Sequence, residues 1–103
     1  MSDEVIIVCG EFEIDSADIF AAKSAMREMM AQTAKEKGCI HYRFYQDIEH
    51  ANWLHVYEEW ETEADLAAHA ASAHMQVFRG EMEKLGVETR YVRKIRGEPG
   101  TLL

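Results

Sequence analysis

The sequence predicts an α+β fold in which four strands and two helical regions follow the order β-α-β-β-α-β. Three observations predict it. Period-two alternation of apolar and polar residues recurs in separate windows, apolar residues at helical spacing fill the gaps between them, and capping or glycine residues mark the junctions. At 103 residues the chain is expected to be one domain, 1–103, with 97–103 as a C-terminal tail. A hydrophobic content of 48% with a single proline argues against disorder.

The first strand is VIIVCGEFEI, residues 5–14, whose second half sets Phe12 and Ile14 against Glu11 and Glu13. Asp15-Ser16 then offers a helix N-cap, Ile19, Ala22, Met26, Met29 or Met30 and Thr33 recur at helical spacing, and Gly38 supplies a stop. Methionines on that face fill a core or line a plastic apolar pocket, and Met26 is the candidate for the pocket. Residues 39–47, CIHYRFYQD, alternate as a second strand, with Ile40, Tyr42 and Phe44 on one face and His41, Arg43 and Tyr45 on the other. Residues 48–52 reverse the chain into a third strand, Trp53 to Glu61, whose faces are Leu54/Val56/Glu58/Trp60 and Trp53/His55/Tyr57/Glu59.

Thr62-x-x-Asp65 opens a helix in which Leu66, His69 and Ala70 share a face, and Ser72 can cap a second piece carrying His74, Phe78, Met82 and Leu85 on one side. Both His69 and His74 are therefore expected to face inward. Gly86 ends this region, and residues 87–96 alternate as a fourth strand. The whole is a split βαβ, ferredoxin-like pattern: a four-stranded antiparallel sheet with the helices on one face. The other face would carry Ile7, Cys9, His41, Tyr45, Trp53, His55 and Tyr57, too many large groups to leave bare, so a homodimer through the sheet face is expected.

A formal net charge of −8 disfavours nucleic acid and anionic membrane as partners and favours a small neutral or cationic molecule. No apolar run reaches the roughly 20 residues that a spanning helix needs. The two cysteines, Cys9 and Cys39, form no CxxC pair, and Met1-Ser2-Asp3-Glu4 is not the basic start of a secretory signal, so a reducing, cytoplasmic setting is expected.

Three kinds of chemistry compete for these residues. On one continuous helix, His69 and His74 would point about 140° apart, so no metal is expected. His41 and His55 are expected opposite one another on the hairpin's outer face, as part of the dimer contact. Neither cysteine has an evident activating partner, and no glycine-rich phosphate loop is present. There remain Glu58 and Trp60 on the helix-facing side of the third strand, with His69 and His74 above them. A carboxyl group, a flat apolar wall and one or two imidazoles suit proton abstraction from a flat phenol or enol. On the residues alone they suit somewhat better a core histidine hydrogen-bonded to Glu58 with Trp60 as packing.

The runs GCIHY at Gly38 to Tyr42, YEEW at Tyr57 to Trp60, HAASAHM at His69 to Met75 and VCGEFEI at Val8 to Ile14 resemble the antibiotic biosynthesis monooxygenase family, most closely its small quinol monooxygenases. The resemblance covers essentially the whole chain, and the ordered E-x-W…H-x-x-x-x-H pattern is its most specific part. It implies a dimeric α+β barrel that oxidises an electron-rich aromatic with O₂ as co-substrate and without metal, flavin or haem. It further implies His69 or His74 as the base, oriented by Glu58, with Trp60 and Tyr42 sandwiching the substrate ring. Phe78 and Met26 complete the candidate substrate-binding set. The chain departs from haem-degrading relatives, having Gly10 where they place an asparagine and Arg79 where they place the haem-ligating histidine. Val56 stands near the asparagine that anthrone monooxygenases use. A non-redox isomerase and a non-catalytic dimeric binding module are the alternative readings of the same pocket.

Overall fold

The computed structural model describes residues 4–103. Strand β1 (Val5–Ile14) leads through one 3-10 turn at Ser16–Asp18 into α1 (Ile19–Thr33). The chain continues as β2 (Cys39–Gln46), β3 (Trp53–Trp60), α2 (Glu63–Ala70), α3 (Ala73–Glu83) and β4 (Val87–Gly97). The four strands form one antiparallel sheet in the order β2-β3-β1-β4, the ferredoxin-like arrangement.

Alternation decides which side of the sheet is covered. On β3, Leu54, Val56, Glu58 and Trp60 are buried while Trp53, His55, Tyr57 and Glu59 remain partly exposed. The buried set meets Ile6, Phe12 and Ile14 of β1, Ala22, Ala25, Met26 and Met29 of α1, and Phe78 and Met82 of α3 in one core. Burying the larger aliphatic, methionine and phenylalanine side chains of this core stabilises the fold by roughly 1.5–3 kcal/mol each.

Three local features depart from the sequence pattern. Asp15 caps the 3-10 turn, accepting from the Ala17 N–H, rather than the α-helix itself. The β2–β3 register slips between Cys39 and His41, so that Cys39 pairs with Trp60 and Ile40 is left over. Ile40 is consequently 49% exposed instead of sharing the inner face with Tyr42 and Phe44. Third, His41 faces Glu59, and it is Tyr45 that faces His55. His41 bonds the Tyr45 hydroxyl (3.0 Å) and packs edge-on against Tyr57, whereas His55 lies near Asp47 and Glu11.

Two glycines are fixed by space. Gly38 has φ of +78°, and a β-carbon there would run into the Asp65 carboxylate of α2. At Gly10 a β-carbon would collide with the backbone of β4 at Tyr91 and Val92.

Candidate active site

The site is assembled where β3, the two short helices and the turn after α1 meet. Thr62 starts α2: its hydroxyl accepts from the Asp65 N–H and donates to the Asp65 carboxylate. After Ala70 the helix breaks. Ser72 makes the break specific, accepting from the Met75 N–H to start α3 and donating to the His69 carbonyl to close α2. His69 therefore sits in the last turn of one helix and His74 in the first turn of the next. The 140° divergence expected of a continuous helix does not apply.

The two imidazoles converge on Glu36, in the turn between α1 and β2. His69 Nδ1 lies 2.6 Å and His74 Nε2 3.0 Å from the same oxygen, Glu36 Oε2. Gly38 makes this possible by letting the chain turn under Asp65 and enter β2, with Cys39 N bonded back to the Glu36 carbonyl. The orienting carboxylate is thus Glu36, and the expectation that Glu58 orients a histidine is corrected. Glu58 instead accepts from Trp60 Nε1 at 2.9 Å, because residues i and i+2 of one strand face share that side of the sheet.

The His69 ring is clamped between Trp60 (centroids 4.8 Å apart) and Tyr42 (5.2 Å). Trp60 has no exposed surface, so it supports His69 and Glu58 from below and does not reach a ligand. Met26 is also corrected: it is 2% exposed and lines a separate depression of about 170 Å³ between α1 and the hairpin. Tyr42, Phe78, His69 and Glu58 do line one cavity of about 570 Å³ under α2 and α3. Val8, Phe12, Phe44, Met75 and Met82 supply much of its apolar wall, and Arg79, Glu83 and Arg90 its charged groups. His74 and Glu36 lie outside that lining, behind His69.

Burial sets the electrostatics. It raises the Glu58 carboxyl to about 7, with the Glu36 charge acting the same way and the Trp60 N–H opposing it. Burial likewise holds His69 below its ordinary value, against the pull of Glu36. The Tyr42 phenol is pushed far up by burial and then by Glu58 and Glu36, so it stays a neutral hydroxyl. Burial and the same two carboxylates raise Cys39, which leaves it a poor nucleophile. Chemically the cavity offers one neutral imidazole with Nδ1 committed to Glu36 and Nε2 available, beside a carboxyl group that is half protonated near neutral pH.

Glu36 had no signal in the sequence, where it stands in the charged run Lys35-Glu36-Lys37, 33 and 38 residues from its partners. No helix among the described residues is long and apolar enough to cross a membrane.

The fold is widespread among solved structures. A conserved protein from Methanosarcina mazei superposes with a TM-score of 0.84 at 22% identity, covering 90% of this chain and 92% of that one. A Nitrosomonas europaea protein provisionally described as an antibiotic biosynthesis monooxygenase gives 0.83 at 22% identity, with 94% and 92% covered. A Bacteroides thetaiotaomicron protein described as a possible oxidoreductase gives 0.79 at 23% identity, with 94% and 99% covered. At such identities the likeness speaks for the fold alone. No curated protein matches the sequence. The family described as antibiotic biosynthesis monooxygenase matches residues 5–81, three quarters of the chain, including Glu36, Glu58, His69 and His74. The chain therefore belongs to the antibiotic biosynthesis monooxygenase family.

Proposed function

We propose that the protein is a monooxygenase that oxidises a quinol or related electron-rich phenol with O₂ and draws all the reducing electrons from the substrate. The observation that carries this reading is His69, held from behind by Glu36, on the wall of a largely apolar cavity of about 570 Å³, a volume suited to a fused aromatic ring system. Glu36 accepts from Nδ1–H and so fixes the tautomer whose Nε2 takes a proton from the bound hydroxyl. The resulting anion gives one electron to O₂, and the radical pair recombines within the apolar pocket before it separates. One oxygen atom enters a ring carbon, the other leaves as water, and the substrate emerges as a hydroxyquinone. Protonated Glu58 donates a hydrogen bond to the opposite oxygen of the ring, and Tyr42 and Phe78 hold its faces.

The base must be neutral to act, so turnover should rise with pH through a value below the ordinary 6.5 of histidine. The test is oxygen-electrode turnover of reduced naphthoquinols by wild type and by His69→Ala. Oxygen uptake by the first and its loss in the second support the proposal, and turnover without oxygen consumption overturns it. An acid and a base facing one cavity also suit a non-redox isomerase, which would convert its substrate under argon. A binding module would return its ligand unchanged.

We also propose that the outer sheet face closes a homodimer. Tyr45, Tyr91 and Ile95 are 49%, 65% and 37% exposed on the protomer, and a second copy would cover them.

A further inference from the structure

We infer that Glu36, His69 and His74 form a binding site for a divalent transition-metal ion of the zinc type, and that occupancy turns the proposed base into a proton donor. The donor set comes first. Two imidazole nitrogens and one carboxylate oxygen suit zinc, cobalt or nickel better than magnesium or calcium. The three ligand atoms lie within 4.8 Å of one another and come from three separate elements. Two of the spacings, 2.6 and 3.0 Å, are hydrogen-bond distances. A tetrahedral ion with bonds of about 2.0–2.1 Å separates neighbouring ligands by roughly 3.4 Å, so seating it asks the two carboxylate–imidazole spacings to open by less than about an ångström and the two imidazole nitrogens, within 4.8 Å of each other, to close by up to about 1.4 Å.

The hydrogen bonding explains why a cation fits there. Both imidazoles present a nitrogen to one oxygen, so that Glu36 Oε2 is a focus of two N–H donors, and a single ion can stand in for those two protons. The site is held yet reachable: the side chains of His69, Glu36 and His74 are 4%, 17% and 23% exposed, which leaves an approach from the His74 side. Glu36 and His74 do not line the substrate cavity, so the ion would sit behind His69 and would not touch the substrate.

Tautomer logic gives the consequence. In the metal-free protein His69 carries its proton on Nδ1 and keeps a lone pair on Nε2. A metal on Nδ1 takes the place of that proton, and the neutral ring then carries its proton on Nε2, where it becomes a donor. This second step rests on the proposed role of His69 as base; the metal site itself does not.

The test uses the full chain with Co²⁺ and Zn²⁺ alone. Visible d–d absorption of tetrahedral Co²⁺ should saturate at one equivalent per chain, and Zn²⁺ should displace it. Affinity should fall at least tenfold in Glu36→Gln and in His74→Gln, and stay unchanged in His55→Ala on the outer face. His74 is part-exposed, and circular dichroism identifies a misfolded variant. Independently of any variant, nitrogen shifts of the His69 ring should report proton transfer from Nδ1 to Nε2 on adding Zn²⁺. No Co²⁺ bands in wild type, or full affinity in both site variants, overturns the site. Zn²⁺ bound without inhibition of oxygen uptake overturns the switch. If no quinol is turned over, the Co²⁺ bands still judge the site, so the two failures are distinguishable.

Discussion

Strand β3 shows the same residue types to two different environments. Outward it presents Trp53, His55, Tyr57 and Glu59; inward, Glu58 and Trp60 beneath His69. The outer groups bond one another or nearby carboxylates within reach of water: Tyr57 donates to Glu59 at 2.9 Å, and His55 lies 3.3 Å from Asp47. Asp47 is held below its ordinary range by the backbone N–H groups of His50 and Glu49. The inner groups make bonds of similar length, yet burial moves Glu58 the other way, up to about 7. Residue identity supplies the capacity for proton transfer, and the helices over one face decide which copy has it.

The largest test of that contrast is histidine against histidine. His69→Ala should lower turnover by roughly 10²- to 10⁴-fold, the usual worth of a general base, while His55→Ala changes it less than about twofold, as read by oxygen uptake. Glu58 gives the next effect, in stability. Its folded-state value lies above its ordinary 4.5, so the unstrained stability present below about 4.5 is lost as pH rises through about 7, a decline of about 3 kcal/mol. Urea unfolding from pH 4 to 9 should show the decline in wild type and not in Glu58→Gln. His69 acts in the opposite sense: its lowered value costs stability as pH falls below 6.5, and that acid arm should persist in the glutamine variant.

Much of this was legible in the chain. Parity separated Glu58 and Trp60 from His55 and Tyr57, and Ser72 announced the helix break. What a local pattern cannot carry is depth and distant contact. Parity put Trp60 on the correct face, beneath His69, but could not say that it would be buried completely. Spacing made His69 and His74 diverge because it assumed the helix ran on through Ser72. Glu36 reads as solvated charge, since its partners lie on elements that meet it only after folding. The bulge at Ile40 is likewise set by pairing across β2 and β3 and not by the alternation in either strand.

Two smaller effects sharpen the contrast further. Gly38→Ala should cost about 1–2 kcal/mol, because it meets both a positive φ and the Asp65 carboxylate, and it should loosen Glu36 and weaken turnover in step. Tyr57→Phe removes one part-buried hydrogen bond and should change protomer stability by about 0.5–1 kcal/mol. Light scattering of the same variant at falling concentration reads the outer face separately, since a sheet-to-sheet dimer would dissociate more readily.

The collision awaiting any side chain at position 10 bears on how this pocket can diversify. Val8 and Phe12 line the cavity on either side of Gly10, so the position looks like a natural place to add a polar group and acquire a new reaction. Yet the first carbon of that group would strike β4 at Tyr91 and Val92 before reaching the ligand. The edge strand would have to move first. A single substitution at position 10 is therefore a costly route to a new reaction, and new specificity is more accessible through Arg79 and Arg90, which already border the cavity.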